Sequence, residues 1–203
     1  MKRFHGILII PFVLLFLQPA FAQPDAPRDK DFDLGVSAGL LFPGSLWVSA
    51  IDDYIVTSSS PFFRVTLDGY IVPKLAMGVY VNLGFIGLDR IESSGMAVPS
   101  NANSATLYEI GGSITPCFQV HRVLLKPSLS IGYRGMHLNT DVSSEIKDIK
   151  ALGVNASLQA MLLTKSTVNP FIELGFIAQP AGGNKDTDLT FAPVIYLSIG
   201  AAI

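Results

Sequence analysis

The chain has 203 residues, of which 49% are hydrophobic and 15% are charged, and its formal net charge at pH 7 is −2. This length is ample for one domain, but the charge content is low for a soluble one, so a membrane protein is a class to consider. The acidic balance argues against nucleic acid as a partner, and the single cysteine, Cys117, excludes an internal disulfide and paired-cysteine metal motifs.

Residues 1–22 have the organisation of a secretory signal peptide. Lys2 and Arg3 precede an apolar run, Gly6 to Leu17, that is too short to span a bilayer. Small residues in Ala20-Phe21-Ala22 then predict cleavage before Gln23. The alternative is that the run anchors the chain by its N-terminus. Residues 23–31 are polar and contain proline, so we predict a short periplasmic lead-in with little order before a single domain, residues 32–203.

From residue 32 onward, apolar and polar residues alternate in segments that are separated by polar connections rich in Gly, Pro, Ser or Asn. A period of two residues is typical of β-strands. In the clearest example, Val79 and Val81 alternate with Tyr80 and Asn82. The pattern predicts eight strands, at about residues 32–42, 63–71, 75–85, 108–118, 125–134, 152–162, 171–176 and 191–203.

In the predicted alternation, one face of these strands is apolar throughout and carries no Asp, Glu, Lys or Arg. A cation at the bilayer midplane would cost about 2 to 4 kcal/mol on such a face. After the signal peptide no segment is long and apolar enough for a transmembrane helix, and only a closed barrel pairs every backbone group of a membrane-spanning sheet. We therefore predict an all-β protein, an eight-stranded antiparallel up-and-down transmembrane β-barrel.

The connections between the predicted strands alternate long and short, beginning with a long one from about Gly44 to Pro61. This order is typical of bacterial outer-membrane barrels, with long external loops, short periplasmic turns and both termini periplasmic. Aromatic residues of the apolar face fall beside the long connections and predict an external interfacial girdle. Its predicted members are Phe42, Phe63, Phe85, Tyr108, Tyr133, Phe176 and Phe191.

The opposite face carries ions, and an eight-stranded barrel has an interior that side chains can fill. The predicted lumen ions are Arg64, Asp68, Glu109, Lys126, Arg134 and Glu173. Because an unpaired buried ion is costly, we predict two ion clusters that plug the lumen. Arg64, Glu109 and Arg134 are placed toward the external end, Asp68 and Lys126 toward the periplasmic end, and Glu173 between them. The alternative is a charged constriction that selects ions.

Together, the signal peptide, the eight alternating strands, the order of connections, the segment Asn169 to Phe176 and the terminal segment Val194 to Ile203 resemble the small outer-membrane β-barrel superfamily. That superfamily includes OmpX, the transmembrane domain of OmpA, and OmpW. The resemblance implies a location in a bacterial outer membrane, contacts with its lipid and lipopolysaccharide or an equivalent, and recognition by the barrel-assembly machinery. The last strand of the superfamily commonly ends in an aromatic residue, whereas this chain ends in Ile203.

Some barrels of the wider class modify lipid A, and a deacylase of this shape would carry His and Ser in an H-x-S arrangement. Here His121 is followed by Arg122-Val123 and His137 by Leu138-Asn139, so neither fits. We predict that both histidines are solvated and that Cys117 is a packed side chain. No catalytic residue, metal ligand or cofactor is predicted, and the chain is not predicted to be an enzyme.

The first long connection is more apolar than a solvated loop requires and includes Trp47 and Tyr54. Such residues serve as anchors for a surface or host partner, or they fold back onto the barrel or the outer leaflet. The favoured interpretation is a monomeric, lumen-plugged barrel that serves envelope structure and external contacts. The alternatives are an OmpW-like conduit for small or hydrophobic solutes, a lipid A modifying enzyme, and a secreted soluble barrel whose faces are reversed around an apolar cavity.

Overall fold

The computed structural model describes residues 31–48, 53–93, 96–98, 104–139, 149–182 and 189–203. The predicted signal peptide and all but the last residue of the predicted lead-in lie outside these ranges. No helix in the described ranges is long and apolar enough to cross a membrane.

Every regular element in the described ranges is a β-strand, as the period of two residues predicts. In chain order the strands are β1 Phe32–Leu41, β2 Ser45–Val48, β3 Asp53–Thr57, β4 Ser60–Val72, β5 Leu75–Ser93, β6 Met96–Val98, β7 Ser104–Pro116, β8 Phe118–Val120, β9 Val123–Asn139, β10 Ile149–Leu162, β11 Asn169–Gly182, β12 Leu189–Phe191 and β13 Val194–Ala202.

Eight of these strands form a closed barrel in the order β1, β4, β5, β7, β9, β10, β11 and β13, each antiparallel to its neighbours. The last strand pairs back with the first, with Leu40 opposite Leu197. Closure leaves no edge strand in the barrel wall, so each wall strand has a hydrogen-bonding neighbour on both sides. The predicted fold class is confirmed.

The two ends of the barrel differ in the length of their connections. The short connections, residues 73–74, 117–122 and 163–168, lie with the start of β1 and the end of β13 at what we call the turn end. The long connections lie at the opposite end, the loop end, where Leu41 pairs with Ser60. The connections between consecutive barrel strands therefore alternate long and short along the chain, as predicted.

The faces of the barrel wall follow the predicted alternation. Val79 is 57% exposed, Leu129 53% and Leu197 38%, whereas Arg64 and Lys126 are only 3% and 2% exposed. Between the aromatic residues and the turn end, the outward positions of the described barrel strands carry no Asp, Glu, Lys or Arg, and the exposed Lys150 lies at the loop-end start of β10, opposite Gly135. The reversed arrangement, with an apolar cavity and charges outside, is therefore wrong.

The predicted strands are too short at the loop end. β5 continues to Ser93 and β9 to Asn139, whereas the corresponding predicted strands end at about residues 85 and 134. The end of β5 pairs with β3 on one side and β6 on the other, and the order β12, β2, β3, β5, β6 forms what we call the loop-end sheet. The backbone N–H and C=O groups of these strands form hydrogen bonds with one another beyond the loop end of the barrel wall. The first long connection thus contains a hairpin, β2 and β3.

Phe191 was predicted to begin the last barrel strand. It lies instead in β12, opposite Leu46 of β2. β12 and β13 are separated at Ala192-Pro193. Proline has no N–H to donate to a sheet ladder, so it interrupts the pairing that the alternation alone would extend. The N–H of Ala192 instead donates to Ser45 O at 3.0 Å.

Candidate functional site

The inward positions of the eight barrel strands converge in a narrow lumen, which is the candidate site. All six predicted lumen ions are buried there, with exposures between 1% and 6%. A seventh, Asp33 of β1, is 3% exposed and joins them. Asp33 was not among the predicted lumen ions, although it shares the inward parity of Ser37 on the same strand. Ions buried this deeply require partners.

Glu109 and Arg134 form the first ion pair of the lumen, facing each other across β7 and β9. Arg134 Nε donates to Glu109 Oε2 at 2.7 Å, and Nη2 donates to the same oxygen. Arg134 Nη1 also donates to the carbonyl oxygen of Ala178 at 2.9 Å. The other carboxylate oxygen of Glu109 accepts from Tyr80 Oη and Asn155 Nδ2. These charge-assisted bonds fix the pair in one geometry.

A second pair reaches across the bore from β4 to β11. Arg64 Nε lies 3.6 Å from Glu173 Oε1, and Tyr196 Oη donates to that oxygen at 2.7 Å. The guanidinium carbon of Arg64 lies 4.8 Å from the centroid of the Tyr80 ring, which is a cation–π distance. Since Tyr80 also donates to Glu109, the two pairs form one network, which we call the loop-side ion cluster.

A separate group, the turn-side ion cluster, consists of Asp33, Asp68, Tyr70 and Lys126. Lys126 Nζ lies 2.7 Å from Asp68 Oδ2 and 3.4 Å from Asp33 Oδ2. Tyr70 Oη donates to Asp33, and its ring centroid is 5.7 Å from Lys126 Nζ. One ammonium group thus serves two carboxylates.

A small polar cavity separates the two ion clusters. It has a volume of about 20 Å³ and is lined by ions of both clusters and by the intervening polar side chains of β4, β7, β9 and β10, including Ser113, Ser128 and Gln159. A cavity of about 10 to 15 Å³ accommodates one water molecule, so the space has the size of one or two water molecules.

Apolar layers lie beyond both ion clusters, and the sequence reasoning, which treated the inward face as polar, missed them. The loop-end layer consists of Leu41, Leu46, Phe62, Ile86, Ala105, Leu107, Met136, Ala151, Ile177, Val194 and Tyr196. The turn-end layer consists of Ala76, Cys117, Leu124, Met161, Phe171 and Ala202, with Tyr70 and Leu163 packed against it. Apart from Leu46 of β2, these residues could have been predicted, because they continue the inward parity of the barrel strands toward each strand end.

Lumen glycines provide the space that the large polar side chains occupy. A Cβ atom on Gly175 would lie 2.6 Å from Cζ of Tyr196, and one on Gly153 would lie 2.6 Å from Glu109 Oε2. Contacts this short do not occur, so a larger residue at either position would displace a member of the loop-side ion cluster.

The predicted girdle is divided by the structure. Phe42, Phe63, Phe85, Tyr108 and Tyr133 are exposed near the loop end, Phe176 is half-buried, and Phe191 lies in the loop-end sheet. The rings of Phe63 and Phe85 meet edge to face, with centroids 6.5 Å apart. The Tyr108 ring covers Gly135 on the neighbouring strand. Such cover supports a strand at a position that lacks a side chain.

Trp47 and Tyr54, the predicted binding residues, are directly opposite each other in the β2–β3 hairpin. The adjacent Leu46 is fully buried in the loop-end layer, so part of the first connection does fold back over the barrel. His121 is exposed in a short turn, with a φ of 56°, and His137 is exposed near the loop end. Among the described residues, no three His, Cys, Asp or Glu side chains are grouped so that they could hold a metal ion.

No family model matches the chain, and no curated protein matches it by sequence. Among solved structures it is similar to Neisserial surface protein A (NspA), with a TM-score of 0.60 and 11% identity, over 86% of this chain and 97% of that chain. It is also similar to Ail, the attachment invasion locus protein of Yersinia pestis, with a TM-score of 0.51 and 12% identity, over 86% and 100% of the two chains. A major outer membrane protein from Thermus thermophilus matches with a TM-score of 0.50 and 13% identity, over 85% and 99%. The chain therefore has the fold of small eight-stranded outer-membrane barrels.

Proposed function

We propose that this protein is a monomeric, non-enzymatic barrel of a bacterial outer membrane, with both termini in the periplasm, a closed lumen and a loop-end sheet that makes external contacts. The observation that carries the location is the outward face of the wall. Its side chains are apolar and exposed, as Val79 and Leu129 illustrate, whereas the ions of both ion clusters are buried in the lumen. In water such a surface would drive aggregation, whereas in a bilayer it meets hydrocarbon.

The closed lumen is the second part of the proposal. A solute would have to pass two apolar layers, two ion clusters and a cavity of about 20 Å³. Opening the loop-side ion cluster alone would still leave the apolar layers in place, and hydrophobic constrictions close pores by dewetting. These features favour a plugged barrel over an OmpW-like conduit.

The third part is a role in envelope structure and surface contact without catalysis. His121 lies at the turn end and His137 near the loop end, so they are at opposite ends of the barrel. Cys117 is buried in the turn-end layer. The partners in this proposal are outer-membrane lipid and lipopolysaccharide or an equivalent, the barrel-assembly machinery, and a surface or host partner that the β2–β3 hairpin contacts.

Two measurements on one sample test location and closure. The protein is extracted from outer-membrane fractions, its heat-modifiable gel migration is recorded, and the folded form is added to planar bilayers, with protein-free detergent as the control. We expect a folded band that shifts on boiling and no large, steady currents. Recovery in the soluble periplasmic fraction would contradict the location, and wide-pore currents would contradict the closed lumen.

Catalysis and surface contact are tested separately. The mass of lipid A is compared with and without expression of the protein, and an altered mass would overturn the non-enzymatic assignment. For the loops, Trp47→Ala/Tyr54→Ala is compared with Phe42→Ala, which removes an aromatic side chain outside the hairpin. Attachment to host cells that is unchanged in the double variant would remove the hairpin as the contact site.

A further inference from the structure

Each of the three short turns at the turn end carries a cation. Lys74 lies between β4 and β5, Arg122 between β8 and β9, and Lys165 between β10 and β11. Arg122 and Lys165 are exposed and Lys74 is half-buried. The three connections, residues 73–74, 117–122 and 163–168, contain no Asp or Glu. The fourth corner of the rim, where β13 meets β1, carries Asp31, so the cations occupy three of four corners.

The rest of the inter-strand sequence has the reverse charge. The segments 42–59, 88–103, 140–148 and 183–193, which comprise the long connections and the end of β5, contain nine acidic and three basic residues. The formal net charge of −2 therefore conceals an asymmetry in the sequence, with cations in the short connections and an excess of acidic residues in the long ones.

Backbone hydrogen bonds hold the three cationic turns in one rim. The N–H of Cys117 donates to the carbonyl of Lys74 at 2.8 Å, and the N–H of Leu163 donates to the carbonyl of Arg122 at 2.7 Å. The turn that carries Lys165 is closed by a bond from Thr164 N to Asn169 Oδ1 at 2.8 Å. Because the turns are already ordered, little backbone conformational entropy is lost when the cations bind a ligand together.

The cations also stand at the border of the exposed apolar band. Val72 precedes Lys74 by two residues, Val120 precedes Arg122 by two, and Leu162 precedes Lys165 by three, and these three apolar side chains are 50%, 47% and 47% exposed. Lys and Arg at such a border extend their charged ends to the polar side while their stems cover apolar surface. In a bilayer this places three positive charges at the depth of the lipid headgroups.

We propose that the turn-end cations Lys74, Arg122 and Lys165, which we call the cationic ring, form a binding surface for anionic phospholipids, the glycerophospholipids whose headgroups carry a net negative charge. This inference rests on the proposed membrane location. A zwitterionic headgroup offers the same phosphate but brings its own ammonium group, so it gains less from the cationic ring. Attraction to an anionic leaflet is worth about fivefold in binding for each nearby cation.

The test compares lipid selectivity at the barrel surface. Wild-type protein is refolded into phosphatidylcholine vesicles that contain a minor fraction of phosphatidylglycerol, and its relative association with spin-labelled forms of the two lipids is measured by electron paramagnetic resonance. The variant Lys74→Gln/Arg122→Gln/Lys165→Gln removes the cationic ring. The matched control, Lys147→Gln/Lys150→Gln/Lys185→Gln, removes the same charge from positions outside the three short connections.

We expect the wild type to prefer phosphatidylglycerol several-fold, the ring variant to lose most of that preference, and the control to keep it. The preference falls with added salt, because the contacts are exposed. Free glycerol phosphate does not compete, since it lacks the acyl chains that hold a headgroup beside the rim. Equal preference in both variants, or none in the wild type, would overturn the cationic ring as a lipid-binding surface.

Folding is checked in the same vesicles by heat-modifiable migration. If the triple variant does not fold, Arg122→Gln and Lys165→Gln are measured singly, and each is expected to lose part of the preference because both side chains are exposed. Wild-type protein that inserts normally but shows no preference refutes only the lipid-binding ring. Wild-type protein that does not insert into any vesicle refutes the membrane location as well.

Discussion

Removal of the Arg134 guanidinium is the most direct test of the loop-side ion cluster. The variant Arg134→Met keeps most of the side-chain volume but removes the cation from a position that is 1% exposed. Glu109 loses the donors at Nε and Nη2, and the carbonyl of Ala178 loses its donor at 2.9 Å. Removing one partner of a buried pair costs about 3 to 5 kcal/mol, because the remaining charge stays uncompensated.

A double-mutant cycle separates this penalty from general damage to packing. Glu109→Met alone leaves Arg134 uncompensated and should cost a similar amount. In the double variant Glu109→Met/Arg134→Met no charge remains unpaired, although Tyr80 and Asn155 lose an acceptor at about 1 to 3 kcal/mol each. We therefore expect the double variant to be destabilised by clearly less than the sum of the single variants.

The free energy of unfolding is measured by urea titration of the barrel in phospholipid vesicles, with the folded fraction read from gel migration and circular dichroism. Lys150→Met, an exposed position on β10, serves as the control and should change stability by less than about 0.5 kcal/mol. A loss below about 1 kcal/mol for Arg134→Met, or additive losses in the cycle, would refute the assignment of Glu109 and Arg134 as a coupled buried pair.

Three further predictions use the same urea titration. Lys126→Met leaves Asp33 and Asp68 without their ammonium group and should cost about 3 to 5 kcal/mol, and a loss equal to that of the Lys150→Met control would argue against the turn-side ion cluster. Val79→Lys places a cation on the outward face near mid-height of the wall and should cost about 2 to 4 kcal/mol more than Val79→Ala, a difference that vanishes if this face does not meet hydrocarbon. Gly175→Ala should cost about 1 to 3 kcal/mol because its methyl group meets the Tyr196 ring, and wild-type stability would show that the ring has room to move.

The sequence predicted the two faces of the wall correctly because that pattern is local. In a strand, successive side chains point to opposite sides, so the parity of Val79 and Arg64 fixes which of them faces the lumen. The same parity places Asp33 and the apolar residues Phe62 and Leu107 inside. Those residues were missed because the inward face was assumed to be polar along its whole length, not because the pattern was ambiguous.

The extent of the strands at the loop end could not be predicted from the alternation of apolar and polar residues. β2, β3, β6 and β12 are three to five residues long, and each is held by a neighbour that is distant in sequence or by the end of β5. Phe191 shows the difficulty, since its alternation continues that of β13 while its hydrogen-bonding partner is β2. A strand of three to five residues has too few alternating residues to be predicted from its own sequence. Whether such a segment forms a strand depends on the strand with which it pairs.

By itself the sequence determined the strand period, the lipid-facing and lumen-facing residues, and the order of long and short connections, because each depends on residues a few positions apart. The tertiary structure decided which ions meet, pairing Arg64 with Glu173 across the bore and giving Lys126 two carboxylates. Those contacts depend on the stagger between strands when β13 closes on β1, a property of the whole sheet that no single segment encodes.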